Sequence, residues 1–532
     1  MRRAVRREWL APLVVALLAA VTSLPSLYNR FVYDDVPVIV QNDLVHRLSA
    51  VPAIWRSSYW PVGMLYRPLT IQAFNLEWVL GGERARVFHG MSILLAALTA
   101  VLVWRLARRL LPPSGAAVAA ALFAVHPVHV EAVANVVGQS ELLAAIFTLL
   151  AVERYLAWRE AAALGPGHRL ALAGLTLLAI CSKETGYVAP LLLGIAELGR
   201  FRSPRRAVVP VFLWQAGAIV AALAIRFSVL GTLAGEAPAP SIAGLGPLTR
   251  AAGMLTIVPE WARLLFWPAH LQGEYGPPAV SLTGAPLGSY LLGVALLVGA
   301  LVLLAWGWYR EKTMAMGLLW MAAALLPVSN LLAPTGILLA ERTLLLPSVG
   351  AVLVAAIIAV RLASLLRAMP VGLRVAAAAG IALIVAAGEQ SAERATVWKT
   401  QSVFFAHLVD DAPRTYRAHY VASRFYYGEK RYPEALEEAR AALALYQRDA
   451  HVHEQLGQVL RTMGRCQEAV PVLAEGVRLS PRETTVRSRL IECMLAGGDT
   501  AGARSVAADA VRAGLPEFAA TLRRLGPPPP SR

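Results

Sequence analysis

Long apolar runs, separated by short connections rich in arginine, dominate the first 390 residues of the chain. A helix of about 20 apolar residues is long enough to cross a bilayer. We predict about eleven such spans, of which the fifth and sixth are short and would be tilted or buried against neighbours. In order they are Trp9–Leu27, Phe88–Leu110, Ala116–Asn135, Ser140–Trp158, His168–Ser182, Gly186–Leu198, Ala207–Leu230, Gly288–Tyr309, Thr313–Leu332, Thr343–Leu366 and Gly372–Gly388.

A different pattern follows near residue 411, where charged amphipathic helices replace the apolar runs. Ala435, Ala469 and Ala503 recur at intervals of 34 residues. A 34-residue period with small residues at the helix crossings is typical of tetratricopeptide (TPR) repeats. We therefore predict about three repeats over residues 411–516, and a proline-rich tail over residues 517–532 that contains the run Pro527–Pro530.

The predicted fold is all-α. It comprises a polytopic membrane bundle over residues 1–390, with a first outer loop at residues 28–87, and a TPR α-solenoid. The net charge of +16 does not indicate nucleic-acid binding, because the arginines cluster at alternate ends of the spans. This pattern places the N-terminus in the cytoplasm. With eleven spans, the repeats would lie outside the cytoplasm.

One segment complicates this topology. Residues 253–271 are apolar but are interrupted by Pro259, Glu260, Arg263 and Pro268. We interpret the segment as interfacial or re-entrant. If it crossed the membrane, the downstream topology would invert and three loops would violate the positive-inside rule.

The three cysteines, Cys181, Cys466 and Cys493, have no metal-ligand spacing. We expect Cys181 to be a buried apolar residue. The other two could pair outside the cell, but the sequence does not decide between a disulfide and free thiols.

The scarcity of acids in the apolar region draws attention to Asp34 and Asp35. Up to residue 388 the only other aspartate is Asp43, in the same outer loop. A carboxylate there could act as a general base toward a hydroxyl, or hold a divalent cation beside a phosphate. Two adjacent carboxylates repel each other, which would raise one pKa. The alternative is a helix cap or a pair of solvated loop acids.

Further polar clusters fall at the same predicted membrane face. They are Tyr33-Asp34-Asp35, Tyr66-Arg67-Pro68-Leu69, His126-Pro127-Val128-His129-Val130-Glu131, Gly138, Ser182-Lys183-Glu184-Thr185-Gly186 and Glu341-Arg342 with Pro347-Ser348. Helix packing alone does not explain the convergence of so many polar groups on one face.

In these motifs the chain resembles the transmembrane-and-tetratricopeptide-repeat-containing protein O-mannosyltransferases. The resemblance covers nearly the whole chain, but Gln139 stands where an arginine is common, and the repeat array is short. It implies a GT-C glycosyltransferase that takes a sugar, by resemblance mannose, from a polyprenyl-phosphate donor to a hydroxyl on a protein or glycan acceptor. The composition is consistent with a bacterial inner-membrane member.

Roles for the acids and bases follow from this chemistry. Asp34 is the candidate base, with Asp35 orienting it or binding the acceptor or a metal. Arg67, Lys183 and Arg342 are candidate counter-charges for the donor phosphate. Simpler alternatives exist for these cations. They are a Lys183–Glu184 pair, an Arg342–Glu341 pair, and an anchoring role for Arg67 at lipid headgroups.

His126, His129 and Glu131, with Glu184 and Glu341, are candidate substrate-binding residues. The two histidines could also ligate a metal, although they lie three residues apart after a proline that breaks helical regularity. We therefore favour hydrogen-bonding roles for them.

Three other functions remain as alternatives. A transporter is disfavoured because charged residues are nearly absent at mid-span and no inverted repeat is evident. A non-catalytic scaffold would use the repeats to organise envelope assembly, by self-association or by capture of a protein. A ligase acting on lipid-linked glycans would differ from the leading hypothesis in its diphosphate donor.

Overall fold

The structure is a computed structural model, and it describes residues 2–60, 63–201, 205–233, 235 and 238–526, with the side chains of residues 2–9 and 205–207 excluded. These residues form 24 α-helices, joined by turns and short 3₁₀ segments, and contain one isolated β-bridge. The all-α prediction is confirmed. The helices are α1 Arg2–Ser23, α2 Val51–Ile54, α3 Pro68–Gly81, α4 Ala85–Leu110, α5 Pro113–Ala124, α6 Val130–Ala134, α7 Gln139–Glu160, α8 Pro166–Ser182, α9 Ala189–Arg200, α10 Arg205–Leu230, α11 Pro247–Met254, α12 Val258–Phe266, α13 Leu287–Arg310, α14 Lys312–Leu325, α15 Leu345–Leu365, α16 Pro370–Ala395, α17 Gln401–Asp411, α18 Tyr416–Gly428, α19 Tyr432–Leu445, α20 Ala450–Thr462, α21 Cys466–Leu479, α22 Thr484–Ala496, α23 Thr500–Arg512 and α24 Ala519–Arg524.

Seven helical segments of the described residues are long and apolar enough to cross a membrane, which fits a multi-pass membrane protein. The expectation of about eleven spans is therefore wrong as a count of membrane-length helices. The seven segments are Leu10–Tyr28, Ala85–Leu110, Val136–Glu160, Val208–Leu230, Leu287–Arg310, Glu341–Ala368 and Pro370–Trp398.

The four other predicted spans are shorter or broken helices. The third is interrupted after Ala124 and bends by 47° into Pro127–Ala134, and counting this pair as one span gives eight. Pro127 explains the break, because a proline disfavours the helical conformation of the residue before it. Helices α8 and α9 contain 17 and 12 residues. The ninth forms a 17-residue helical segment, Lys312–Val328.

Ion pairs show that α8 and α9 nevertheless run beside the whole of α7. At the N-terminal end of α7, Glu141 contacts Lys183, which follows α8 directly. At the C-terminal end of α7, Arg159 contacts Glu197 near the end of α9. The two short helices therefore connect the same two levels of the bundle as the longer α7.

Residues 253–271, the segment that complicated the predicted topology, contain the end of α11 and all of α12. These helices have only eight and nine residues. The segment is absent from the candidate membrane spans of the described residues.

The chain divides into two compact units. Unit 1 comprises Met1–Leu271 and Leu282–Phe404, and unit 2 comprises Gln272–Ser281 and Phe405–Arg532. The division after residue 404 falls between the predicted end of the membrane domain at 390 and the predicted start of the repeats at 411.

Unit 2 contains helix pairs that follow the 34-residue period of the sequence. The first helices of three pairs, α18, α20 and α22, begin at residues 416, 450 and 484, and the second helices begin at 432, 466 and 500. Ala435, Ala469 and Ala503 are fully buried. A disulfide between Cys466 and Cys493 joins α21 to α22. The described part of the predicted tail is helical up to Arg524, and Pro527–Pro530 lies outside the described residues.

Candidate active site

The site lies in unit 1, and it begins at a sharp turn after the first span. Tyr33 has a φ of 55°, in the left-handed region that a bulky residue rarely adopts. Its ring stacks on Phe404 with centroids 5.5 Å apart, which helps to hold this backbone conformation. Strained backbone of this kind is frequent at functional sites.

Asp35 is fully buried and ties two parts of the fold together. One carboxylate oxygen accepts the Val32 backbone N–H at 3.1 Å, and the other accepts the Val137 backbone N–H at 2.9 Å. Burial raises the pKa of Asp35 to about 7, against the lowering effect of these hydrogen bonds, while the charge of Asp34 adds a smaller increase. The predicted pKa increase within the pair is thus found on Asp35, and its main cause is desolvation.

Asp34 lines a cavity and lies beside Arg342. The side chain of Asp34 is 19% exposed, and its Oδ2 lies 3.9 Å from Arg342 Nη2. The two adjacent carboxylates therefore occupy different environments, and of the two only Asp34 lines the cavity. The assignment of the base to Asp34 and of an orienting role to Asp35 remains a prediction.

Glu131 holds Arg342 in place. Its two carboxylate oxygens accept the Arg342 backbone N–H at 2.8 Å and the Arg342 Nη1 at 2.5 Å. Glu131 is buried, so this pair is shielded from solvent. The anticipated alternative for Arg342 was a pair with the adjacent Glu341, whereas the structure shows a pair with a residue 211 positions away.

Lys183 and Glu184 also pair with distant residues. Lys183 Nζ lies 2.5 Å from Glu141 Oε1 on α7. Glu184 Oε2 accepts a hydrogen bond from Arg67 Nε at 2.9 Å and lies 2.8 Å from Arg67 Nη2 in an ion pair. Burial lowers the pKa of Lys183, although the Glu141 charge opposes this effect. The cations of the site are thus matched by carboxylates from other elements.

Two glycines allow this arrangement. A Cβ atom on Gly186 would lie 2.3 Å from the carbonyl carbon of Ala179, and one on Gly138 would lie 2.5 Å from the carbonyl oxygen of Ala132. Both contacts are with backbone, which cannot move aside easily. The glycines therefore permit the tight turns that bring Lys183, Glu184 and the start of α7 into one cluster.

The cavity has a volume of about 220 Å³, and its lining contains both charged and apolar side chains. Asp34, Arg67, Lys183, Glu184 and Arg342 contribute charged groups. The apolar lining includes Leu65, Val137, Pro327, Val328, Pro334 and Ile337. Such a cavity suits an amphiphile that carries a charged group.

The remaining predicted site residues, His126, His129, Glu131 and Glu341, do not line this cavity within the described part of the chain. His126 Nε2 donates to the Leu265 carbonyl at 3.1 Å, and its Nδ1 accepts the Val128 N–H. His129 Nε2 contacts Ser348 Oγ at 2.8 Å. Both rings therefore hydrogen-bond to protein groups. No group of three His, Cys, Asp or Glu side chains that could hold a metal ion occurs among the described residues.

Sequence reasoning did not assign a role to three residues that complete the cluster. Glu141 binds Lys183, and Arg226 on α10 lies 3.9 Å from Glu184. Tyr59 lines the cavity and stacks under Arg67. An arginine near the end of an apolar span could have been noticed, because charges in such segments are usually functional.

Comparison with known proteins gives the following similarities. No family model matches the chain. The chain is 28% identical over 385 residues to the protein O-mannosyl-transferase TMTC3 of Mus musculus, covering 64% of this chain and 41% of that protein. It is 27% identical over 502 residues to the protein O-mannosyl-transferase TMTC1 of Homo sapiens, covering 84% and 56% respectively. It is 35% identical over 192 residues to the protein O-mannosyl-transferase Tmtc1 of Drosophila melanogaster, covering 34% and 22%.

The chain thus spans about half the length, or less, of these curated relatives. Their names agree with the resemblance drawn from the motifs.

Proposed function

We propose that the chain is an integral membrane glycosyltransferase of the GT-C type. It transfers a sugar, with mannose as the first candidate, from a polyprenyl-phosphate donor to a hydroxyl of a protein or glycan acceptor outside the cytoplasm. The observation that carries this proposal is the cavity in which Asp34 lies with three cations, Arg67, Lys183 and Arg342. The names of the similar proteins support the same reaction class.

The charged and apolar side chains of the cavity lining fit the two parts of the donor. A polyprenyl phosphate has an anionic head and an apolar tail. Arginine forks and lysine ammonium groups are suited to phosphate oxygens. The apolar lining from Leu65, Val328 and Ile337 offers contact to the first isoprene units.

The chemistry assigned to these residues is a displacement at the anomeric carbon. Asp34 takes the proton of the acceptor hydroxyl as the oxygen attacks the sugar. The bond between the anomeric carbon and the phosphate oxygen breaks, and its electron pair leaves with the phosphate. Arg67, Lys183 and Arg342 stabilise the negative charge that develops there. Glu131 and Asp35 contribute by fixing Arg342 and the Asp34 loop.

For unit 2 we propose TPR repeats that bind the acceptor. A cavity of about 500 Å³ is lined by polar side chains of the first helices of the pairs and their flanks. The lining residues are Tyr420, Arg424, Tyr427, His451, Glu454, Gln455, Gln458, Glu483 and Arg489. Stacked helical repeats form concave surfaces that bind extended ligands. We place this unit outside the cytoplasm and the chain in a bacterial inner membrane, with a cytoplasmic N-terminus.

The test is sugar transfer by the detergent-purified full chain from radiolabelled polyprenyl-phosphate mannose to membrane and periplasmic acceptors. Wild type and Asp34→Asn are compared. We expect label on an acceptor with wild type and a loss of at least 100-fold with the variant, which is the lower end of the contribution of a general base. Transfer with wild type but equal transfer with Asp34→Asn would refute the assignment of the base. No transfer and no binding of any polyprenyl-phosphate sugar would refute the enzyme proposal.

A further inference from the structure

Tyr59 occupies a position on the cavity wall that the reaction scheme above does not use. Its side chain is buried, with 2% exposed, and it lines the cavity. Its backbone N–H donates to the Leu65 carbonyl at 2.8 Å, which closes the loop between them. The phenol ring is therefore held in place before any ligand arrives.

The Tyr59 hydroxyl is available as a hydrogen-bond donor. Within the part of the chain that the structure describes, no protein group accepts a hydrogen bond from it. The hydroxyl oxygen is not fully enclosed by protein, so it is open to a ligand in the cavity. Burial raises the pKa of Tyr59 further above its usual value, so the hydroxyl keeps its proton.

Arg67 provides a second hydrogen-bond donor beside the Tyr59 ring. Its guanidinium carbon lies 4.7 Å from the centroid of the Tyr59 ring, a cation–π contact. Arg67 directs Nε and Nη2 at Glu184, and its Nη1 has no hydrogen-bond partner among the described residues. The charges of Arg67, Asp34 and Arg342 act on the Tyr59 phenol, so its surroundings include the candidate base and two of the cations assigned to the phosphate.

We propose that the Tyr59 hydroxyl donates a hydrogen bond to the phosphate of the lipid-linked donor, beside Arg67. Tyr59 is then a phosphate-binding residue that keeps its contact as the phosphate leaves. This inference rests on the proposed function, since it assumes a polyprenyl-phosphate ligand. The inference concerns the phosphate of the donor and not its sugar. The hydrogen bond from Tyr59 would therefore also form with the sugar-free product, polyprenyl phosphate.

The experiment measures binding of polyprenyl phosphate, which carries no sugar, and of uncharged polyprenol to the detergent-purified full chain. Tyr59→Phe removes only the hydroxyl and retains the ring under Arg67. Tyr28→Phe is the matched control, because it removes the same hydroxyl group from an exposed tyrosine that does not line the cavity.

We expect Tyr59→Phe to weaken polyprenyl phosphate binding by about 10- to 100-fold, the range for a hydrogen bond to a charged group. Polyprenol binding and the thermal midpoint should stay unchanged, and Tyr28→Phe should bind polyprenyl phosphate as wild type does. Tyr59→Phe binding polyprenyl phosphate with wild-type affinity would overturn the inference and leave the proposed function intact. An equal loss of polyprenol binding would also overturn it, because the effect would then be structural. Wild type that binds no polyprenyl phosphate would overturn both proposals.

Discussion

The two adjacent aspartates should respond differently to the same substitution. Asp35→Asn replaces one of two accepting oxygens with an NH₂ group, so the N–H of Val32 or of Val137 loses its acceptor. A buried donor without a partner costs about 1–3 kcal/mol, and the site is fully buried. We therefore expect Asp35→Asn to be folded but measurably less stable than wild type.

Asp34→Asn should show the opposite pattern. Asp34 Oδ2 lies 3.9 Å from Arg342 Nη2, which is too long for a hydrogen bond. Arg342 also keeps its stronger contact with Glu131. Stability should be nearly unchanged, while transfer falls by about 10²- to 10⁴-fold because the base is lost.

The assay combines thermal unfolding of the purified chain in detergent with single-turnover transfer from polyprenyl-phosphate mannose. The comparison is a matched one, because both variants make the same chemical change at neighbouring positions. If Asp35→Asn unfolds at the wild-type temperature, the stabilising role of the hydrogen bonds from Val32 and Val137 to Asp35 is refuted. Full transfer by Asp34→Asn, together with complete loss of transfer by a stably folded Asp35→Asn, would show that Asp35 is the base and that Asp34 is not.

Three further predictions concern Glu131 and Gly186 of the site, and Glu77 on α3. Glu131→Gln should lower transfer by about 10- to 100-fold, because Arg342 loses its charged anchor, and an unchanged rate would refute the anchoring role. Gly186→Ala should lower both the thermal midpoint and transfer because its Cβ meets backbone at 2.3 Å, whereas Gly174→Ala on α8, with nothing within 4 Å, should lower neither. Burial raises the pKa of Glu77 from 4.5 to about 8, so the stability from this carboxyl is full below pH 4.5 and is lost as the pH rises to about 8. Thermal midpoints between pH 4.5 and 8.5 should fall less for Glu77→Gln than for wild type, and equal slopes would contradict this.

The pattern along the chain was sufficient for the elements that depend on local periodicity. The 34-residue step between Ala435, Ala469 and Ala503 recurs in the starts of the helix pairs of unit 2. The long apolar runs form the long apolar helices. A helix satisfies the hydrogen-bonding groups of its own backbone, and with this composition its surface is apolar on all sides. The number of long helices was overestimated where short runs are buried against neighbours, as in α8 and α9.

Pairing of charges could not be predicted in the same way. Neighbours in sequence were the natural partners to consider, yet Lys183 contacts Glu141 and Arg342 contacts Glu131. Each pair joins residues from different helices or connections, so only the packing of the bundle determines which carboxylate comes within reach. The different environments of Asp34 and Asp35 arise for the same reason.

The sequence by itself determined that this is an all-helical chain with membrane-length apolar helices and a repeating tail, and it singled out the Asp34–Asp35 pair. Local periodicity and composition carry that information, because they act over a few helical turns. Only the tertiary structure decided that Asp34 lines the cavity, that Asp35 is buried, and that Tyr59 lies under Arg67. These features depend on contacts between residues far apart in the chain, where close packing determines both the distances and the exposure to water.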